Sequence, residues 1–314
     1  MGLFMHQPEI NLFRHPTSTV YIDDSTAFLY SITLGVDHQP FRSFGDPFAG
    51  LDYVEQFAHI YDQEPTENEE AATPQSTSKF GANITNLVQQ KLKNGSRFAE
   101  PSVVVVDYSM PQMNGLDLCS RITNPYIKKV LLTGVADEKI AIKALNTELI
   151  DFYISKSESS LSQELYRIVD HLRDRYFKEI YGWTKDSRIK KLVPYLFNSD
   201  FADYFEDINE RLNIVEHFPI ESPWGFLLIS GDGEPYQLSI ATSPDHLSNI
   251  NGQALIEPMT ISINPSGTTF HCGVYRYAGP LNLKNIKSFS QYLQGPGLSI
   301  PVSPVQINSP RHDH

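Results

Sequence analysis

Four consecutive valines, Val103 to Val106, run into Asp107, and Tyr108-Ser109-Met110-Pro111 and Gly115 follow. β-branched side chains favour extended backbone. A run that is apolar at every position, without alternation, suits a strand covered on both faces, which points to a parallel sheet clothed by helices. Asp107 then falls where the strand gives way to a turn, on the carboxyl edge where open α/β sheets do their chemistry.

The pattern recurs along the first half of the chain. Thr19-Val20-Tyr21-Ile22 ends in Asp23-Asp24, Val130-Leu131-Leu132 ends in Thr133, and Phe152-Tyr153-Ile154-Ser155 ends in Lys156. Phe41-Arg42-Ser43-Phe44 supplies a short second strand. Between strands, apolar residues recur at helical spacing: Phe28, Leu29, Ile32 and Val36 with Ser25 as N-cap; Leu51, Val54, Phe57, Ala58 and Tyr61; then residues 116–122 and 138–145. This alternation predicts an α/β domain with a doubly wound, parallel, five-stranded sheet. Its strand ends would gather three carboxylates, a hydroxyl and a lysine, the set that divalent-metal-assisted phosphoryl transfer onto an aspartate requires.

The 314 residues suffice for two domains, each with its own core. A net charge of -12 argues against a whole-surface electrostatic grip on nucleic acid or anionic lipid. Cys119 and Cys272 are the two cysteines, so no disulfide framework is implied and a reducing compartment fits. The first residues lack a signal-peptide pattern, and no run of about 18 apolar residues could span a bilayer. A cytoplasmic protein without membrane contact is expected.

Residues 1–17 read as a flexible lead-in. Residues 62–80 are acidic and rich in Pro, Ser and Thr, with too little apolar surface to offset ordering entropy, and are expected to form a loop. Ile84, Leu87, Val88 and Leu92 then predict an added helix. The whole insertion, about 62–100, enters the amino end of the third strand and should lie opposite the acidic cluster, in a structural or interactive role. The last helix of the unit, 159–181, carries Leu161, Leu165, Ile168, Leu172, Tyr176, Phe177 and Ile180, and the domain boundary is placed near Trp183. Beyond it, residues 183–294 predict a smaller α+β domain. One or two helices run to Leu212; a hairpin pairs Gly225–Ser230 with Tyr236–Ile240, and Ile261–Ile263 and Thr269–Tyr275 read as two more strands around Asn264-Pro265-Ser266-Gly267. Residues 295–314 read as a flexible tail.

Asp23-Asp24, Asp107 with Met110-Pro111 and Gly115, Thr133, and Lys156 with Tyr153 three residues earlier occur in order at the ends of alternating strands. Over residues 18–182 this pattern resembles the receiver domain of bacterial two-component response regulators. The resemblance implies a flavodoxin-like fold and a phosphorylation-dependent switch. Asp107 would be the phosphoacceptor, taking a phosphoryl group from a histidine kinase or phosphotransfer protein. Asp24 and Asp107 would coordinate Mg²⁺ directly, Asp23 partly through water, and the backbone carbonyl of Ser109 would complete the protein ligands. Three clustered carboxylates call for a cation between them, and oxygen donors with retained waters suit Mg²⁺. Lys156 would neutralise the transferring oxygens, and Thr133 with Tyr153 would form the readout.

Two departures stand out. Ser157 follows the lysine where receivers usually carry proline. Val135, at a position that influences access of water, cannot orient an attacking water, so slow self-dephosphorylation is expected. The face made by helix 138–145, strand 152–155 and helix 159–181 is one that many receivers use for phosphorylation-dependent homodimers. Leu161, Leu165, Ile168 and Leu172 either form a heptad-like seam there or pack on their own sheet.

The second domain carries no zinc spacing, P-loop, nucleophile elbow or dinucleotide fingerprint. The segment before Leu212 begins basic, with Arg188, Lys190 and Lys191, and turns acidic, with Asp200, Asp203, Glu206, Asp207 and Glu210, which would repel phosphates. A module that binds a protein or small ligand is the first reading, with its partner open. A divergent nucleic-acid binder, making the chain a transcriptional regulator, is the alternative, and an unrecognised enzyme is third.

Overall fold

The computed structural model describes residues 10–34, 39–58, 74–93, 95–134, 137–181, 194–220, 225–247, 257–263 and 268–277, with residues 281, 283 and 289. The first sheet has the order β2-β1-β3-β4-β5, all parallel: β1 (Ser18–Ile22), β2 (Phe41–Phe44), β3 (Pro101–Asp107), β4 (Lys128–Thr133) and β5 (Phe152–Ser155). Every side chain of β3 is buried, as the valine run requires. Alternate residues serve opposite faces. Val103 and Val105 join Leu29 and Ile32 of α1 (Thr26–Thr33) and Leu165, Ile168, Val169 and Leu172 of α6 (Leu161–Ile180) in one core. Val104 and Val106 face the other core, with residues of α2 (Pro47–Glu55), α4 (Gly115–Arg121) and α5 (Glu138–Asn146). The sheet is therefore doubly wound, as expected. Of the heptad-like stripe, Leu165, Ile168 and Leu172 are buried against this sheet and Leu161 is partly buried beside them.

Between α2 and β3 lies α3 (Pro74–Lys93), so the backbone over residues 74–80 is helical where a loop is expected. Residues 62–73 lie outside the described residues, as do residues 182–193, where the boundary near Trp183 falls, and the tail 295–314. Toward its carboxyl end α3 buries Ile84, Leu87, Val88 and Leu92.

The second sheet is antiparallel, with the order β6-β7-β8-β10-β9. Its strands are β6 (Ile214–Ile220), β7 (Gly225–Ser230), β8 (Pro235–Ala241), β9 (Glu257–Ile263) and β10 (Thr268–Arg276). The predicted β7–β8 hairpin is present, and the two further strands, β9 and β10, pair antiparallel. Strand β6 goes beyond them. Glu216, His217 and Pro219 disguise it, and proline is tolerated because β6 lies at the sheet edge. One helix, α7 (Ser199–Arg211), buries Phe201, Tyr204, Phe205 and Ile208, and its Phe205 ring meets His217 and Phe226 at 5.0 and 4.9 Å between centroids.

The two sheets share a core. The segment expected to be flexible over 1–17 is packed where it is described: Leu12 and Phe13 are buried, and Arg14 exchanges backbone hydrogen bonds with His217 at 3.0 and 2.9 Å before the chain enters β1. Phe13 stacks on Tyr181 at 4.3 Å, and His15 lies between Phe177 and Phe218. Helix α3 packs against β6. In the turn after it, Arg97 donates two hydrogen bonds to Glu216, at 2.6 and 2.9 Å, with both side chains fully buried. Glu100 accepts from Lys91 at 2.8 Å and from Tyr176 at 2.5 Å. The insertion thus joins the sheets at the amino edge of the first, away from the acidic carboxyl edge.

Candidate functional site: the acidic carboxyl edge

Parallel pairing brings the ends of β1 and β3 side by side, with Ile22 opposite Val106 and Asp107 opposite Leu132. Asp23, Asp24 and Asp107 each offer a carboxylate oxygen, and these oxygens lie within 4.8 Å of one another. Asp23 and Asp107 are buried and Asp24 is exposed. Lys156 spans the pair from the end of β5, its Nζ 2.7 Å from Asp23 Oδ2 and 2.9 Å from Asp107 Oδ1. Burial raises the Asp23 carboxyl above its usual range, against the hydrogen bonds from Lys156 and the Ser25 N–H. Burial works to lower the Lys156 pKa, but its bonds to Asp23 and Asp107 outweigh that and raise it. The lysine is therefore a fixed cation in this site.

Local sequence explains the geometry. Asp23 Oδ1 accepts the Ser25 N–H at 2.8 Å, and Ser25 Oγ caps α1 by accepting the Phe28 N–H at 3.3 Å. Tyr108 N–H donates to the Leu132 carbonyl, and Gly115 N–H to the Tyr108 carbonyl at 3.0 Å, which folds the Ser109–Asn114 loop back over the strand end. A Cβ at Gly115 would lie well inside contact distance of the Asp107 carbonyl oxygen, so α4 starts this close only because residue 115 is glycine. Asn114 caps that helix through the Asp117 N–H at 2.9 Å.

Thr133 ends β4, 1 % exposed, and its hydroxyl makes a long 3.5 Å bond to the Ile154 carbonyl, so little holds it in place. Tyr153 is half-buried on the same face of β5, two residues before the Ser155 that pairs with Thr133. Ser109 is exposed on the loop after β3. Val135 lies outside the described residues. Phe28 is the neighbour that helical spacing hides: its ring centroid stands 4.5 Å from Lys156 Nζ. In sequence it reads as one more apolar position of α1, and its place three residues after a capping serine is the clue to a different orientation.

At one edge of a doubly wound five-stranded sheet, strand ends thus gather three carboxylates, a hydroxyl and a lysine. The chain carries a response regulator receiver domain: the family profile of that description matches residues 83–167, from α3 through β3, β4 and β5 into α6. Over 92 % of its length the chain is similar to the Legionella pneumophila response regulator LqsR, at 26 % identity and a TM-score of 0.69, covering 97 % of that structure. That likeness extends across both sheets. The chain is also similar to an uncharacterized response regulatory protein of Staphylococcus epidermidis, 22 % identical over 143 residues, 45 % of this chain. The match spans about half, 52 %, of that relative's length. Among the described residues, no helix is long and apolar enough to cross a membrane.

Proposed function

We propose that the chain is a phosphorylation-dependent regulator whose Asp107 accepts a phosphoryl group from a histidine kinase or phosphotransfer protein. The observation that carries this reading is Lys156, bridging Asp23 and Asp107 at the mouth of an acidic edge built by three separate strand ends. An Asp107 carboxylate oxygen attacks phosphorus in line as the N–P bond of the phosphohistidine breaks, and the imidazole leaves with the bonding pair. Lys156 stabilises charge on the transferring oxygens. The oxygen-only donor set, with Asp24 open to solvent, fits Mg²⁺ held by Asp24, Asp107 and the Ser109 carbonyl, with Asp23 acting through water. When bound, the ion neutralises developing negative charge. The weakly held Thr133 hydroxyl then turns to a phosphoryl oxygen, and Tyr153 on the same face follows it inward.

Phosphorylation would act on residues 183–294 and on self-association. Ile140 and Phe152 are exposed apolar groups on α5 and β5 and supply a pairing surface, whereas the buried stripe of α6 does not. The second sheet, with α7, is read as a module for a protein or small ligand. On α7 the exposed side chains include Asp200, Asp203, Glu206, Asp207 and Glu210, a face that repels nucleic-acid phosphates. Pull-downs of the full chain with and without beryllofluoride test the output: a phosphate-dependent protein or small-molecule partner supports the reading, and salt-sensitive DNA retention contradicts it. Scattering mass unchanged by beryllofluoride contradicts the dimer.

A further inference from the structure

Lys156 reaches the acidic edge on a flexible four-carbon stem, from a turn in which Ser157, not a ring-constrained residue, comes next. The main chain of that turn is fixed. Lys156 N–H donates to the Thr133 carbonyl at 2.9 Å, Glu158 N–H to the Ser155 carbonyl at 3.1 Å, and Ser157 N–H to Ser155 Oγ at 3.3 Å. Those bonds leave the position of the ammonium to its surroundings. Two neighbours are the Asp23 and Asp107 carboxylates, and a third is the Phe28 ring face, 4.5 Å from Nζ.

The ring is itself held. Its backbone N–H caps onto Ser25, whose own N–H donates to Asp23, so the acid that pairs with Lys156 also sets the helical turn that presents Phe28. The ring packs on the core made by Tyr21, Leu29, Val105 and Leu132. The two carboxylates engage the ammonium through its N–H donors and hold it directly between Asp23 and Asp107. A ring face attracts an ammonium through its quadrupole and leaves the N–H donors free for oxygens.

We propose that Phe28 is a positioning residue for phosphoryl transfer, holding the Lys156 ammonium at the mouth of the acidic edge where incoming phosphoryl oxygens arrive. The role rests on the reading of Asp107 as phosphoacceptor. An aliphatic side chain would keep an apolar contact there without the attraction.

The test uses the full chain as wild type, Phe28→Leu and Phe28→Tyr, with Phe28→Met replacing the leucine variant should that fail to unfold cooperatively. Two readouts are taken: the NMR shift of the Lys156 ε-methylene, assigned by its loss in Lys156→Arg, and Asp107 phosphorylation against phosphoramidate concentration. Wild type and Phe28→Tyr should share a ring-shifted ε-methylene and the same saturated rate. Phe28→Leu should lose the shift and slow the saturated rate roughly 3- to 10-fold, with the half-saturating donor concentration little changed. A wild-type saturated rate in Phe28→Leu, or a Phe28→Tyr variant as slow as Phe28→Leu, overturns the proposal. Absence of labelling in wild type itself overturns the phosphoacceptor reading and this role with it, while the ε-methylene shift still reports whether the ring holds the lysine.

Discussion

Lowering the pH should weaken the junction between the sheets well before ordinary acid unfolding. His15 is fully buried beside Phe177 and Phe218, with Glu100, Lys91 and Arg97 as its charged neighbours. Burial lowers its pKa from 6.5 to about 4, against the pull of Glu100. His217, whose Nε2 lies 2.8 Å from the Asn11 carbonyl, is lowered from 6.5 to about 3, again by burial first. A histidine with a depressed folded pKa binds its proton more readily in the unfolded chain. Unfolding therefore takes up protons once the pH drops below about 6.5, and stability falls until the pH passes the folded value. The fall from 6.5 to about 4 corresponds to about 3 kcal/mol for His15, and the fall from 6.5 to about 3 to about 5 kcal/mol for His217. Those are large fractions of a typical domain's stability. Glu100 acts in the same direction at lower pH: Lys91, His15 and Tyr176 outweigh burial and hold its carboxyl below the usual range, so its contribution is lost as the pH falls through that folded value. The assay is urea unfolding at several pH values between 7 and 4.5, in wild type and His15→Phe. The phenylalanine variant should lose roughly half of the slope the two histidines supply, because both folded values lie below this pH window. An unchanged slope would refute the buried-histidine argument.

Three further outcomes follow from the geometry. Glu216→Ala should cost about 3–5 kcal/mol in urea unfolding by removing the carboxylate paired with a buried guanidinium, whereas Arg97→Met with Glu216→Leu should lose much less; equal losses would show that the buried pair does not set the cost. Gly115→Ala should slow Asp107 labelling by at least about tenfold, because the new methyl must displace the Asp107 main chain; a wild-type labelling rate would contradict the close approach of α4. Lys156→Met should slow labelling by a similar factor, yet tighten Mg²⁺ binding in titration calorimetry, because it removes a cation that competes for Asp23 and Asp107; weaker metal binding would count against that competition.

The first sheet is legible in the sequence because its strands are apolar on both faces and each ends in a chemically distinctive residue. Asp23, Asp24, Asp107 and Lys156 announce themselves at strand ends, where the topology brings them together. The junction is not legible. Arg97 and Glu216 lie 119 residues apart, and charged residues read as surface until a structure shows them paired and dry. Phe13 and His15 sit in a polar stretch too short to show periodicity, and β6 hides behind a glutamate, a histidine and a proline. Phe28 differs: its helical spacing is plain, and its service to Lys156 depends on an orientation that spacing does not encode.

Phosphorylation of Asp107 is read from the intact mass of the full chain after incubation with phosphoramidate and Mg²⁺, with the adduct mapped by borohydride reduction and peptide analysis. Wild type should carry a single phosphoryl adduct on Asp107, and Asp107→Asn none. An adduct that persists in Asp107→Asn, or a wild-type chain that takes none, would contradict Asp107 as the phosphoacceptor.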